Sequence, residues 1–441
     1  VSGAGLWPGL FGDPQIAAAL DDAAWLRAML RFEAALAEAQ AAEGMIPAEA
    51  AAAIVRGLDG LAPDPADLAA GAAEAGVPVP ALLGWARPRL GDAGPWLHYG
   101  ATSQDAMDTG AVLMLRDACD LFDARLARLT AVLGLAARAH AGTVMAARTR
   151  TQIAAPTTFG LRIAGWLGPI ARARTRLAEI RPRLLLVQLG GGAGTAAAFG
   201  GRGAALAAHL GAALAAHLGA ALGLGVPPKP WHAERDGIAE FCCWMALTAA
   251  ACGRIGADLS LMARSEIAEV RVGAGGSSTL PHKSNPTPAE ALPALARFTA
   301  SLTPAACAAA LHVEERDLSA WALEWRTIPP LAEATGAALR LAADCVEGMR
   351  VDPAAMRAHL DATRGAACAE AMAFARAPSV GLPAAQAAVK AALADMGPAE
   401  TLAEALARRG AALDPAAFAD PAAHVGEAAA MIEAALAAAE V

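Results

Sequence analysis

From Gly110 to about Gly190 the sequence keeps a helical pattern almost without interruption, with only Gly142 and Pro156 to break it. The pattern returns over 234–270 and 288–347. A chain that gives stretches this long to one period has little room for a sheet. Helices of that length bury their apolar stripes against one another, so a bundle is expected. Composition argues the same way. Alanine dominates, and apolar residues reach 56% while aromatic ones make up only 4%. Such a mixture suits close helix packing better than a sheet of Val, Ile, Tyr and Phe. The predicted fold class is all-α.

At 441 residues the chain exceeds what one growing core supports, so it is expected to split into domains. Three are predicted. Residues 1–109 form an N-terminal helical domain: Asp13 opens a helix pattern with Trp25, Leu26, Met29, Leu30 and Leu36 at helical spacing, and a series of prolines then punctuates shorter helices. Residues 110–349 form the central bundle. Residues 350–441 form a C-terminal helical domain that opens at Val351, Asp352 and Pro353. An octapeptide, AALAAHLG, occurs in tandem at 204–211 and 212–219. It lengthens a helix, and two histidines at that spacing without a carboxylate do not make a metal site.

Several function classes are set aside. The net charge of −8 comes with no basic run, which argues against nucleic acid as a partner. Seven cysteines, an odd number with no C-x-x-C pair, read as reduced thiols in a cytoplasmic protein without zinc. The first residues lack the order of a signal peptide, and the Ala-rich run 203–226 is broken by His209, His217 and glycines, so no membrane association is expected. After LLLVQL, the segment GAGTAA at 192–197 matches G-x-G-x-x-A. It lacks a following acid, because no Asp or Glu occurs between 198 and 233, so a dinucleotide turn is rejected.

Three polar islands interrupt the apolar pattern. The first is HYGATSQDAMDTG, with His98, Thr102, Ser103, Gln104, Asp105, Asp108 and Thr109 directly before a long helix, where free N–H groups and the helix dipole favour a carboxylate. An N-cap is the plainer use of the residues at 108–109. The second is ARTRTQIAAPTTFG, in which Arg148, Arg150, Gln152, Thr157 and Thr158 interrupt a helix; the arginines either clamp carboxylates or face solvent. The third, GAGGSSTLPHKSNPTPAE at 273–290, has glycines and prolines that rule out helix and strand alike. Together the islands suit binding a small polycarboxylate and moving a proton beside one of its carboxylates. The dianionic aci-carboxylate formed by such a step needs a cation and fixed donors, which Lys283 and Asn285 supply. Ser277 acts as a base only if positive charge and loop N–H dipoles lower its pKa.

GSSTLPHKSNP resembles the signature of the fumarase/aspartase superfamily, G-S-S-x-M-P-x-K-x-N-P, with Leu280 at the methionine. The other two islands resemble the superfamily's remaining active-site regions in the same order, and the resemblance spans essentially the whole chain. It implies an all-α, three-domain fold with a central bundle of long helices, and a homotetramer whose active sites draw on three subunits. It implies no cofactor and no metal. By that likeness Ser277 forms the carbanion, Lys283 and Asn285 bind the substrate carboxylate, and Thr102 and Ser103 bind another. His98, Arg148, Arg150, Gln152, Ser278, His282 and Arg316 complete the candidate substrate-binding set.

Within the superfamily the chain most resembles the carboxymuconate-cyclising branch, whose substrate is a small tricarboxylate, through LFGDPQIAAALDD, HYGATSQDAMDT and SAWALEW. The rival branch comprises adenylosuccinate and argininosuccinate lyases, and it shares GATSQD-like and ERDLS-like segments. Lyases commonly carry G-R-T-H, whose histidine protonates a leaving group; here the segment reads Ala147, Arg148, Thr149, Arg150. A carboxylate leaving group needs no such proton. Trp321 and Trp325 stand where a nucleotide phosphate would sit. Leu382 and Gln386 depart from the G-R-x-x-A-H pattern expected in the third domain.

Overall fold

The computed structural model describes residues 6–199, 204–273, 275–276, 280 and 282–441. Helix α1 (Asp22–Ala42) begins where Asp21 accepts the Ala24 N–H at 2.7 Å, a side-chain cap for a donor the helix itself leaves unpaired. Leu26, Met29, Leu30 and Leu36 form its buried stripe, as their spacing predicts. Trp25 donates its indole N–H to the Met107 carbonyl at 3.0 Å. The long helices follow: α2 (Ser103–Ala139), α3 (Phe159–Leu184), α4 (Asp236–Met262), α5 (Thr287–Ala308) and α6 (Leu318–Gly348). A short helix, α7 (Pro353–Asp361), opens at the expected start signal, with the Asp352 side chain accepting the Ala355 N–H and Pro353 in the first turn.

The chain divides into two compact units. One holds Val1–Arg125, Ala173–Ala250 and Leu295–Ala338; the other holds Leu126–Arg172, Ala251–Ala294 and Leu339–Val441. In the first, Phe122 meets Trp244 edge-on at 5.4 Å and Phe241 stacks on the same indole at 5.4 Å. Three large side chains there fill space that alanines would leave empty. In the second, Cys368, Met372, Leu402 and Leu406 close a core among the C-terminal helices. By length and composition α4 could cross a membrane, but 56% of its apolar stretch is buried, which is how a core helix behaves.

Three expectations need correction. Helix α2 starts at Ser103 and not at Gly110, so Gln104, Asp105, Asp108 and Thr109 lie in its first two turns and the residues at 108–109 are not its N-cap. The stretch 144–158 is not helix: Val144–Thr149 (β1) and Gln152–Thr158 (β2) form an antiparallel hairpin with a bulge between Ala147 and Arg148. Val144, Thr149, Ile153, Thr157 and Thr158 are β-branched and prefer extended backbone. Pro156, which lacks an N–H, fits the ribbon because each strand of a pair has one edge without a partner. The third island is also not wholly irregular, since Gly275 pairs with Asn285 and Gly276 with Ser284 before α5 begins at Thr287. Gly273 is needed where it stands. Its φ is +75°, and a Cβ would come within 3.1 Å of Pro288 Cδ.

The tandem repeat lies in a helix spanning Ala204–Leu222. In its second copy Leu214 and Leu218 are buried and His217 pairs with Glu43 at 3.1 Å on the surface. No group of three metal-ligating side chains occurs among the described residues. The GAGTAA segment is loop leading into a single 3-10 turn at Ala197–Phe199, not a strand-to-helix turn.

Candidate active site

In the first unit the site is built around the start of α2. The Thr102 N–H donates to Asp105 Oδ2 at 3.0 Å, so an acid three residues into the helix holds the residue that precedes it. The same carboxylate accepts the N–H groups of Gly190 and Gly191, both at 2.9 Å, and faces His232 Nε2 at 3.1 Å. Asp105 is fully buried, and these partners occupy both its oxygens. It is a spacer between α2 and the glycine loop rather than a free base. The loop approaches closely: a Cβ on Gly190 would lie 2.7 Å from Pro230 and 3.0 Å from His232.

This leaves the Thr102 hydroxyl turned to a different task. Arg316 donates to Thr102 Oγ1 and to the Gly192 carbonyl, each at 3.1 Å, across 214 residues of sequence in the first case. An exposed guanidinium, a hydroxyl and the first turn of a helix beginning at Ser103 therefore stand together. Such a group suits a carboxylate, because the helix start carries unpaired N–H donors and the arginine supplies charge.

Beneath it lies a buried ionic cluster. Arg235 donates to both oxygens of Asp108, at 2.8 and 3.1 Å, and to Glu324 at 2.8 and 2.5 Å. Asp108 also takes the Trp321 indole N–H at 2.9 Å and the Gln104 amide at 3.0 Å. Burial works against the Arg235 charge, but Asp108 and Glu324 overcome it and hold its pKa above the ordinary guanidinium value. Burial pushes the Glu324 carboxyl up, against the pull of Arg235. Trp321 is thus a buried partner of Asp108, and it meets Trp325 edge-on at 4.7 Å.

His98 sits beside Glu33, Nδ1 to Oε1 at 2.6 Å, with a left-handed φ of 65°. Burial disfavours its charged form, and the Glu33 charge and hydrogen bond outweigh that, so its pKa is raised. A raised folded-state pKa means the pair stabilises most below the unfolded imidazole value of about 6.5 and loses that contribution as pH rises through the folded value. Urea unfolding of His98→Asn at a series of pH values is expected to show a deficit that is largest in acid and shrinks with rising pH. A deficit that grows with pH would contradict this pairing.

In the second unit Arg148 is committed to protein. It donates to both oxygens of the fully buried Glu269, at 2.7 and 3.0 Å, and His359 Nδ1 meets Glu269 Oε1 at 2.9 Å. The ion pair anchors β1. Arg150 and Thr151 form the two-residue turn of the hairpin with φ of 50° and 71°. Asn and Gly usually fill such turns, so a β-branched residue there is strained. Arg150 and Gln152 are exposed. His282 and Lys283 are exposed, the Lys283 N–H donates to the Leu280 carbonyl at 2.9 Å, and Asn285 lies in the short pairing with Gly275. Ser277 and Ser278 lie outside the described residues.

The structure thus brings Thr102, Ser103 and Arg316 together and ties Arg148 to Glu269. Sequence reasoning missed Glu33, His232, Arg235, Glu269, Glu324 and His359. His232 and Arg235 had a signal, since PPKPWHAERDG is itself a polar, proline-broken stretch. Glu33 had none, being one charged residue among several on α1 with Arg27, Arg31 and Glu38.

Residues 14–298 match the lyase family, and the chain belongs to it, as a member of the fumarase/aspartase superfamily with that superfamily's all-α fold and long-helix bundle. Its relatives include 3-carboxy-cis,cis-muconate cycloisomerase of Pseudomonas aeruginosa, 40% identical over 373 residues that cover 82% of this chain and 79% of the relative. The solved 3-carboxy-cis,cis-muconate lactonizing enzyme of Pseudomonas putida is 36% identical and superposes with a TM-score of 0.89, covering 99% of each chain. Nitrosuccinate lyase of Streptomyces davaonensis is 35% identical, covering 83% of this chain and 79% of the relative.

Proposed function

We propose that the protein cyclises 3-carboxy-cis,cis-muconate to 4-carboxymuconolactone, a step of protocatechuate catabolism. The observation that carries this reading over the lyase reading is Arg150, exposed at the turn of the β1–β2 hairpin, where lyases of the superfamily commonly carry a histidine. An amine or alkoxide leaving group needs a proton from a general acid, whereas a carboxylate does not. Likeness to cycloisomerases over most of the chain supports the same substrate.

In the forward direction a substrate carboxylate oxygen forms a C–O bond to the alkene, and the π electrons move into the neighbouring carboxylate to give an aci-carboxylate dianion. Ser277 then delivers a proton to carbon, the reverse of the abstraction it would perform in elimination. Lys283 and Asn285 hold the dianion, and Thr102, Ser103 and Arg316 hold a second carboxylate. The scheme calls on no cofactor. The enzyme acts in the cytoplasm as a homotetramer with sites shared between subunits. The exposed apolar side chains Leu135, Leu247, Leu261 and Phe298 on α2, α4 and α5 support assembly with further copies, since apolar area of this kind is removed from water at an interface.

Incubation with 3-carboxymuconate is expected to bleach its conjugated-diene absorbance. No bleaching, together with cleavage of adenylosuccinate, would replace this reading with the lyase one.

A further inference from the structure

The second unit contains a cavity of about 430 Å³ whose wall carries Arg148, Arg162, Arg254 and Arg264 but only one carboxylate, Asp258. Two of these cations are already matched. Arg148 is neutralised by Glu269, and Arg264 lies 3.7 Å from Glu266. The other two are not. Arg162 makes no hydrogen bond or ion pair among the described residues, although it is half-buried. Among the described residues Arg254 makes one hydrogen bond, Nη1 to the Gly165 carbonyl at 3.2 Å. That carbonyl is free because Pro169, four residues on in α3, has no N–H to give it. Asp258 accepts the Trp166 indole N–H at 2.7 Å and makes no ion pair with either arginine.

α3 and α4 therefore present an i, i+4 set each, Arg162 with Trp166 and Arg254 with Asp258, and the positive side is in excess. Arg254 is exposed and its remaining donors reach water, so the half-buried Arg162 is the cation whose donors most need a partner. Burial lowers the Arg162 pKa against the pull of the nearby Asp258 and Glu269 charges, and the Arg148 and Arg254 charges lower it further. Thr151 and Thr157 add hydroxyls to the same wall. Thr151 is placed there by its strained left-handed backbone, the kind of local cost that persists where a site uses it.

We infer that this cavity is a binding site for a small oxyanion, a carboxylate or phosphate held by Arg162 and Arg254 with the threonine hydroxyls, separate from the groups that carry the chemistry. A guanidinium fork matches either anion, so the two are distinguished by experiment.

The test compares the parent protein with Arg162→Gln by thermal unfolding in chloride, inorganic phosphate and tricarballylate at equal ionic strength. The variant is expected to fold, with an unfolding midpoint in chloride equal to or above that of the parent, because it removes an unmatched cation. In the parent, phosphate or tricarballylate raises the midpoint beyond the chloride control, and in Arg162→Gln that rise is lost. A response to both probes marks a general oxyanion site, and a response to one alone identifies its ligand class. Turnover of 3-carboxymuconate by the variant stays within about twofold of the parent. Equal shifts in parent and variant, or no shift in either, overturn the site. A loss of turnover with Arg162→Gln overturns its separateness. Arg254→Gln is less useful, since it also strips the Gly165 carbonyl of its donor.

Discussion

Ser277→Ala is expected to lower turnover of 3-carboxymuconate by about 10³-fold, within the range that a positioned general acid or base contributes. KM should change little. In the proposed scheme other groups hold the substrate carboxylates, Thr102 with Arg316 in one set and Lys283 with Asn285 in the other, so removing a hydroxyl takes away the proton and not the binding. A serine hydroxyl is a poor acid–base group in water, and its environment must alter that. In the proposed scheme Lys283, six residues on, supplies the charge. Gly276 and Ser284, which flank residues 277–283 in sequence, are paired across the short ladder. Steady-state kinetics beside size-exclusion chromatography with light scattering checks both halves of the expectation. Turnover retained in a correctly assembled variant would take the serine out of the mechanism.

How much of this could be read from the sequence depended on whether the signal was local. The all-α class followed from alanine content and period, and the helix start at Pro353 was marked by its capping Asp352, whereas α2 begins at Ser103, seven residues before the expected Gly110, so Asp108 and Thr109 lie inside it and do not cap it. The β1–β2 hairpin was hidden, because Ala146, Ala147, Ala154 and Ala155 resemble the surrounding helices in composition and a two-residue Arg-Thr turn lacks the usual Asn-Gly mark. Thr102 and Arg316 were both singled out as candidates, but not their direct contact, since 214 residues separate them. Arg148 shows the limit most clearly. Its charge suggested a carboxylate clamp, and its carboxylate is Glu269 of this same chain. Nothing in the spacing of 121 residues announces that pairing.

Arg235→Met is expected to destabilise the first unit by about 3–5 kcal/mol, the usual cost of breaking a buried ion pair from one side. The side chain is 2% exposed and its four hydrogen bonds go to two carboxylates, Asp108 and Glu324. Without it, two buried anions face each other and one must take up a proton. Glu324 is the candidate, because burial and the Asp108 charge already push its pKa up while Arg235 opposes them. With the cation gone its folded-state pKa rises further above the unfolded value of about 4.5, so folding binds a proton that the unfolded chain releases. The deficit should therefore be smallest in acid and grow as pH rises through that folded value. Adding Glu324→Gln removes the orphaned charge and should recover part of the loss, a positive coupling that independent sites would not show. Urea unfolding of the two single variants and the double variant, at two pH values, measures each of these terms. A single-variant deficit below about 1 kcal/mol at neutral pH would mean the cluster is solvated rather than sealed. Activity gives a second readout. Gln104 and Asp108 belong to the first turns of α2, directly after Thr102, so a loosened cluster should raise KM before it lowers kcat.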